Sequence, residues 1–136
     1  MTKRQVQLIR QSFDSAAEFQ IAFTKLFYGR LFELQPTLRP LFKISIEEQS
    51  KKLLDTLRAI VDGVDRIEEL KPGLMELGRK HVTYGVKAEY YEVLRSALLW
   101  TFAQALGVEF DGETRTAWDQ VLRLVSAIML EGAARP

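Results

Sequence analysis

The chain has one histidine, His81, and its position suits it to hold a metal or a cofactor. It follows Leu70, Leu74 and Leu77 at steps of four, three and four residues, which is the spacing of one face of an α-helix. The imidazole is therefore predicted to lie on an apolar face that is directed at the core. Gly78 would let a flat group approach this helix, and Leu77 would pack beneath such a group.

A histidine on an apolar face also has a more common role, because neutral imidazole readily bonds to a backbone carbonyl in a core. Two further polar residues favour a ligand site. Tyr28 lies at the edge of an aromatic-rich stripe, and Gln49 extends the apolar face of another helix. An inward Gln49 would offer a hydrogen-bond donor at a pocket mouth flanked by Lys52, whereas a solvent-facing Gln49 and a surface Lys52 are the alternatives.

Composition excludes several classes of function. The 136 residues fit a single domain, residues 1–136, and the 19 basic and 18 acidic residues are interspersed, so no nucleic-acid partner is expected. The absence of cysteine excludes thiolate catalysis and iron–sulfur clusters, and one histidine excludes a site of several imidazoles. No signal-peptide pattern and no apolar run of about 20 residues is present. A cytoplasmic location without membrane association is therefore expected.

Six predicted helices must position Tyr28, Gln49 and His81. The chain is therefore expected to have an all-α fold in which helices pack on one another. Capping boxes at Thr2 and Ser45 open the first and third helices. The first helix is expected to begin at Thr2 and to end near Ser15 or Ala17. The others are expected at residues 18–34, 46–64, 70–84, 88–106 and 113–131, with an apolar stripe from Phe19 to Leu34 in the second. Residues 62–69 form a polar connector, Pro72 lies in the first turn of the histidine helix, and Gly85 and Gly107 end two helices. The tail, residues 132–136, should fray.

Pro36 and Pro40 break the second helix and leave only a short helical turn between them. Phe42 follows this turn. A large aromatic side chain at that point can be ordinary packing, or it can clamp a flat ligand.

Taken in order, these residues resemble the globins, most closely the bacterial single-domain globins and the globin part of flavohaemoglobins. The resemblance covers almost the whole chain and rests on KLFYGRLF around Tyr28, QPTLRPLF before Lys43, ELGRKHVTYGVKAEYY around His81 and TRTAWDQVL around Trp118. LGRKH followed by GVK is also similar to vertebrate neuroglobin.

The resemblance implies a three-on-three globin fold with haem b held by His81. Gln49 lies 32 residues before His81 and corresponds to the distal gate residue, Leu53 to the apolar distal position and Tyr28 to the distal tyrosine. The other residues expected to line the cofactor are Phe42, Lys52, Leu57, Leu77, Lys80, Val86, Tyr91, Leu94 and Leu98. Tyr91 resembles a proximal tyrosine that cooperates with a glutamate, but that glutamate position falls on Ala133, which argues against a strong peroxidase-like electron push.

The function implied by the resemblance is high-affinity, reversible binding of dioxygen, with carbon monoxide and nitric oxide as further ligands. Oxidation of nitric oxide to nitrate is expected when a separate reductase supplies electrons, so whether the chain is an enzyme stays open. A gas sensor and an oxygen carrier or store without turnover are the alternatives. A haem-free structural role would leave the polar residues at the pocket unexplained.

Overall fold

A computed structural model describes residues 1–135 of the chain. It contains the helices α1 (Lys3–Ala17), α2 (Gln20–Leu34), α3 (Ile46–Gly63), α4 (Ile67–Thr83), α5 (Tyr90–Leu106) and α6 (Gly112–Ala133), with 3₁₀ segments at Pro36–Leu41 and Gly107–Glu109. Residues 1–135 contain no strand, so the all-α prediction is confirmed. In this part of the chain no helix is both long and apolar enough to cross a membrane.

Local signals set several helix ends where the sequence predicts them. The Thr2 side chain accepts the Gln5 N–H while the Gln5 side chain accepts the Thr2 N–H, which is a complete capping box. Ser45 Oγ accepts the Glu48 N–H at 3.1 Å and begins α3. Gly107, with a φ of +56°, ends α5 in a conformation that side chains rarely adopt.

The core is centred on Trp118 of α6, which is fully buried. Its ring stacks on Phe102 of α5 with centroids 4.4 Å apart, and Phe102 in turn meets Phe23 of α2 edge to face at 5.0 Å. The indole Nε1–H donates to Ser12 Oγ of α1 at 2.7 Å. One aromatic cluster therefore joins four of the six helices.

The expectation of a polar connector over residues 62–69 is wrong. Helix α3 continues to Gly63 and α4 already begins at Ile67. Ile67 starts the apolar stripe that leads towards His81, and Glu68 and Glu69 lie in the first turn, where negative charge is favourable beside the helix dipole. Pro72 consequently lies in the second turn of α4 rather than in the first.

Two expectations at other helix ends are also wrong. Phe19 is 58% exposed and has a non-helical φ of −117°, so it precedes α2 instead of beginning its buried stripe. Leu34, at the other end of that stripe, is 40% exposed.

Helix α6 extends to Ala133 because Gly132 packs against α4, so the expected fraying at residues 132 and 133 does not occur. Pro136 lies outside the described residues.

Candidate functional site

The position of α4 is set by close backbone contact with α6. Gly78 is buried, and a Cβ atom built there would lie 2.6 Å from the Met129 carbonyl carbon. In return, a Cβ atom at Gly132 would lie 2.5 Å from the Met75 Cα. The expectation that Gly78 admits a flat ligand is therefore wrong, because this position faces α6. His81, three residues on, is turned about 60° away from Gly78 around the helix.

The His81 ring is oriented by its own helix. Its Nδ1 lies 2.9 Å from the Leu77 carbonyl oxygen. Because a carbonyl can only accept, Nδ1 carries the proton in this bond and Nε2 keeps its lone pair. Burial lowers the pKa of His81, against a smaller opposing effect of the bond to Leu77. The result is a neutral imidazole with a free Nε2, which is the form that binds a metal.

A tight turn follows the histidine. Gly85 has a φ of +89°, the Val86 N–H donates to the His81 carbonyl at 2.9 Å, and the Gly85 N–H donates to Val82 at 3.0 Å. These two bonds form a Schellman motif, so the prediction that Gly85 ends this helix is confirmed. A Cβ atom at Gly85 would lie 3.2 Å from Leu41 Cδ2, which places the turn beside the 3₁₀ segment.

Tyr91 of α5 covers one side of the imidazole. Its ring lies nearly parallel to His81, with centroids 6.2 Å apart. The phenol is buried, which raises its pKa, and its hydroxyl has no hydrogen-bond partner among residues 1–135. Glu131, the glutamate nearest to Ala133 in the sequence, instead pairs with Arg135 at 3.0 Å. No glutamate is therefore placed to bind Tyr91 in the described structure.

On α2, Tyr28 is 4% exposed and its hydroxyl donates to the Gln49 backbone carbonyl at 3.2 Å. Burial raises the pKa of Tyr28 well above its usual range, so this phenol stays protonated. Phe42 meets Tyr28 edge to face at 5.6 Å. Three residues that the sequence singles out, Tyr28, Phe42 and Gln49, thus lie together. The Gln49 side chain is half-buried, and its role as a donor stays a prediction.

The other candidate lining residues fall into three groups. Leu57 and Leu98 are fully buried, whereas Lys52 and Lys80 are exposed. The half-buried group consists of Leu53, Leu77, Val86 and Leu94, all of which pack against the core. Helices α3 and α4 meet tightly at their connection, where a Cβ atom at Gly63 would lie 2.8 Å from Leu70 Cδ2. Farther along the two helices, Leu53 and Leu77 keep part of their apolar surface uncovered.

Sequence reasoning missed several neighbours of these residues. Tyr84 lies 6.3 Å from His81, centroid to centroid, and is 56% exposed. A cavity of about 240 Å³ adjoins Phe42 and is lined also by Arg39 and Ile44. Helical spacing could have identified Tyr84 as a neighbour of His81, but the cavity depends on how the 3₁₀ segment folds. A separate groove of about 620 Å³ beside Arg10 and Ile67 contains none of the candidate site residues.

The described residues form an all-α protein with a neutral imidazole on α4 and a buried phenol in the middle of α2, beside the Gln49 carbonyl near the start of α3. A profile of the Globin family matches residues 25–129, and the chain belongs to that family. The resemblance predicted from the sequence, to neuroglobins and to the globin part of flavohaemoproteins, is confirmed by the relatives described next.

The chain is 27% identical to neuroglobin-1 of Oncorhynchus mykiss, over 99% of this chain and 94% of that protein. It is also 27% identical to the flavohemoprotein of Oceanobacillus iheyensis, over 96% of this chain but only 33% of that longer protein. An engineered carbene transferase from Rhodothermus marinus, described as a putative nitric oxide dioxygenase, superposes with a TM-score of 0.87 at 23% identity. That match covers 99% of this chain and 94% of the solved one and shows a shared fold.

Globins hold a haem and bind gaseous ligands such as dioxygen, and the residues present here fit a haem. The free Nε2 of His81 is a suitable axial ligand. The uncovered apolar surface of Leu53, Leu77 and Leu94 is the kind of lining that a porphyrin would bury. The exposed ammonium groups of Lys52 and Lys80 suit the carboxylates at a porphyrin edge.

Proposed function

We propose that this globin binds haem b through His81 Nε2 and binds dioxygen reversibly and with high affinity. The observation that carries the proposal is the bond from His81 Nδ1 to the Leu77 carbonyl, because it fixes the tautomer and leaves Nε2 as the free nitrogen. Phe42, Leu53, Leu57, Leu77, Val86, Leu94 and Leu98 would exclude water from the porphyrin. When bound, haem supplies a ferrous iron with an open sixth position for dioxygen, carbon monoxide or nitric oxide.

Tyr28 and Gln49 would set the affinity for dioxygen. The Tyr28 hydroxyl stays protonated and buried, so a small rotation away from the Gln49 carbonyl turns it into a donor for a polar ligand. In a site of low dielectric constant, such a donor strongly stabilises a ligand that gathers negative charge. The Gln49 side-chain amide would donate a second hydrogen bond. Slow release of dioxygen follows from these two bonds.

Oxidation of nitric oxide is the reaction that this pocket would support when electrons are supplied. Nitric oxide, dioxygen and one electron give one nitrate ion. The likeness to a flavohemoprotein and to a putative nitric oxide dioxygenase supports this reaction. The chain spans one third of the length of the flavohemoprotein. In this proposal a separate reductase supplies the electron. A carrier, store or gas sensor would instead bind dioxygen without turnover.

Absorption spectroscopy tests haem binding first. The protein reconstituted with haem should show a Soret band that His81→Ala abolishes or strongly weakens, whereas Tyr84→Phe, on an exposed neighbour of the same imidazole, should retain it. A haem-reconstituted protein without a Soret band, or an unchanged spectrum in His81→Ala, would contradict the proposal.

Dioxygen dissociation tests the role of Tyr28. Loss of a hydrogen bond of about 1.4 kcal/mol accelerates release about tenfold, so Tyr28→Phe should release dioxygen at least about tenfold faster than the wild type and the Tyr84→Phe control. An unchanged rate would show that Tyr28 does not face the ligand. Several nitrate ions formed per protein in the presence of a reductase would separate an enzyme from a carrier.

A further inference from the structure

Positive charge is concentrated on two segments that flank the candidate haem site. Residues 39–52 and 79–89, here called the rim, contain seven basic and three acidic residues, a net charge of +4. The rest of the chain contains twelve basic and fifteen acidic residues, a net charge of −3. The near-neutral net charge of the whole chain therefore combines a positive rim with a negative remainder.

The fold brings the two rim segments together. Leu41 lies beside Gly85, and the Thr37 and Tyr90 hydroxyls, which immediately flank the rim, are 3.3 Å apart. Arg39 lies over the Phe32 ring at 5.1 Å, next to the cavity that Phe42 and Ile44 line. The two rim segments, which include the start of α3 and the end of α4, are therefore in contact at Leu41 and Gly85.

Most basic residues of the rim form no ion pair within the described part of the chain, unlike many of those elsewhere. Among residues 1–135 the only rim cation in an ion pair is Arg79, which pairs with Glu76 at 2.8 Å. The exposed rim cations without such a partner are Arg39, Lys43, Lys51, Lys52, Lys80 and Lys87. By contrast, Arg10 and Arg58, on other faces, are held by carboxylates at 3.0 and 2.9 Å.

Apolar side chains are also exposed within the two rim segments. Val82 is 53% exposed, Tyr84 is 56% exposed and Ile44 is 36% exposed. Exposed apolar side chains among free cations are the composition of a protein interface in which charge steers the encounter and apolar contact completes it.

We propose that the rim is the docking surface for an acidic flavoprotein that reduces this globin, an inference that rests on the proposed function. Each encounter transfers one electron, so that the donor is oxidised by one electron and ferric haem is reduced by one. His81 lies within the second rim segment, and Phe42 and Gln49, which both contact Tyr28, lie within the first. The interspersed Glu47, Glu48 and Glu89 would repel a uniformly anionic bilayer or a nucleic acid, but they can face cations on a protein.

The test compares two variants of equal net charge, with photoreduced flavodoxin as the acidic donor. The rim variant carries Lys43→Glu, Lys51→Glu and Lys87→Glu. The control variant carries Lys3→Glu, Lys25→Glu and Arg115→Glu, at exposed positions outside the rim. At low ionic strength flavodoxin should reduce the rim variant at least about tenfold more slowly than the wild type, and the control variant less than about threefold more slowly. The difference in rate between the two variants should disappear in high salt. Reduced riboflavin, a small donor that carries at most one charge, should reduce all three proteins at similar rates.

A second measurement detects binding without electron transfer. In the diamagnetic ferrous carbonmonoxy protein, oxidised flavodoxin should shift the backbone amide resonances of Lys43, Tyr84 and Lys87, and these shifts should vanish in the rim variant. Equal slowing of both variants, or amide shifts outside the rim, would overturn the inference. Binding of the rim to phosphatidylserine vesicles but not to flavodoxin would assign it to a membrane and overturn it as well. A wild type without a Soret band would refute the proposed function itself, which is a separate result.

Discussion

Substitution of Gly78 tests the claim that backbone contact with α6 positions the histidine helix. In Gly78→Ala the new Cβ would lie 2.6 Å from the Met129 carbonyl carbon and 2.8 Å from its Cα. These are backbone atoms, so they cannot turn aside as the end of a flexible side chain can. Gly73→Ala is the matched control, because it lies in the same helix and its Cβ would meet nothing within 4 Å.

The difference between these two variants isolates the cost of packing. Both substitutions stabilise the helix by about 0.5–1 kcal/mol, because alanine has a higher helix propensity than glycine. Overpacking in a rigid contact costs about 1–3 kcal/mol. The free energy of unfolding of Gly78→Ala should therefore lie about 1–3 kcal/mol below that of Gly73→Ala, which should itself be slightly more stable than the wild type.

Urea unfolding of the haem-free protein, followed by far-ultraviolet circular dichroism, measures these differences. Because α4 also carries His81, Gly78→Ala should in addition lose haem faster than Gly73→Ala when an excess of a haem-scavenging globin is added. Equal stability of the two variants would refute the reasoning. It would mean that α6 moves away at no cost and does not fix the position of α4.

Three further predictions concern the haem-free protein. Burial lowers the pKa of His81, so as the pH falls the unfolded chain takes up the His81 proton before the folded protein does. The free energy of unfolding should therefore fall as the pH drops below about 6.5 and level off below the folded-state pKa. His81→Gln should remove this part of the pH dependence between about pH 7.5 and 5.5. Ser12→Ala leaves the buried Trp118 N–H without its partner and should cost about 1–3 kcal/mol in urea unfolding, and a loss below 0.5 kcal/mol would contradict this. Tyr91→Phe removes a buried hydroxyl that has no partner and should raise stability by about 1 kcal/mol, so a clear loss would reveal a partner such as bound water.

The sequence predicts helix ends well where they depend on neighbouring residues. Thr2, Ser45 and Gly107 act within one helical turn, and the structure places all three at helix ends. The many charged residues of the segment 62–69 suggest a loop, although Ile67 already begins the apolar stripe of α4. Exposed helical turns and polar loops have similar compositions, so composition alone cannot separate them.

The partner that a helix face meets is harder to predict than the face itself. Because Gly78 has no side chain, the sequence predicts that another group can approach the α4 backbone closely there. That group can be a flat ligand or another helix. The structure places the Met129 backbone there. Likewise, Tyr28 and Gln49 are 21 residues apart on different elements, and periodicity within one helix says nothing about their distance. Their proximity was anticipated only through the resemblance to globins.

The surroundings of His81 decide between two kinds of haem chemistry under the proposed function. A carboxylate on Nδ1 would draw the proton away and make the imidazole a stronger electron donor, which favours cleavage of an oxygen–oxygen bond. Here Nδ1 bonds to the neutral Leu77 carbonyl, Tyr91 has no acidic partner among the described residues, and Glu131 is engaged by Arg135. Under the proposed function, the His81 imidazole would thus donate electron density to the iron only moderately. The choice of reaction in this proposal would then depend on Tyr28 and Gln49, whose hydrogen bonds would favour holding dioxygen intact over splitting peroxide.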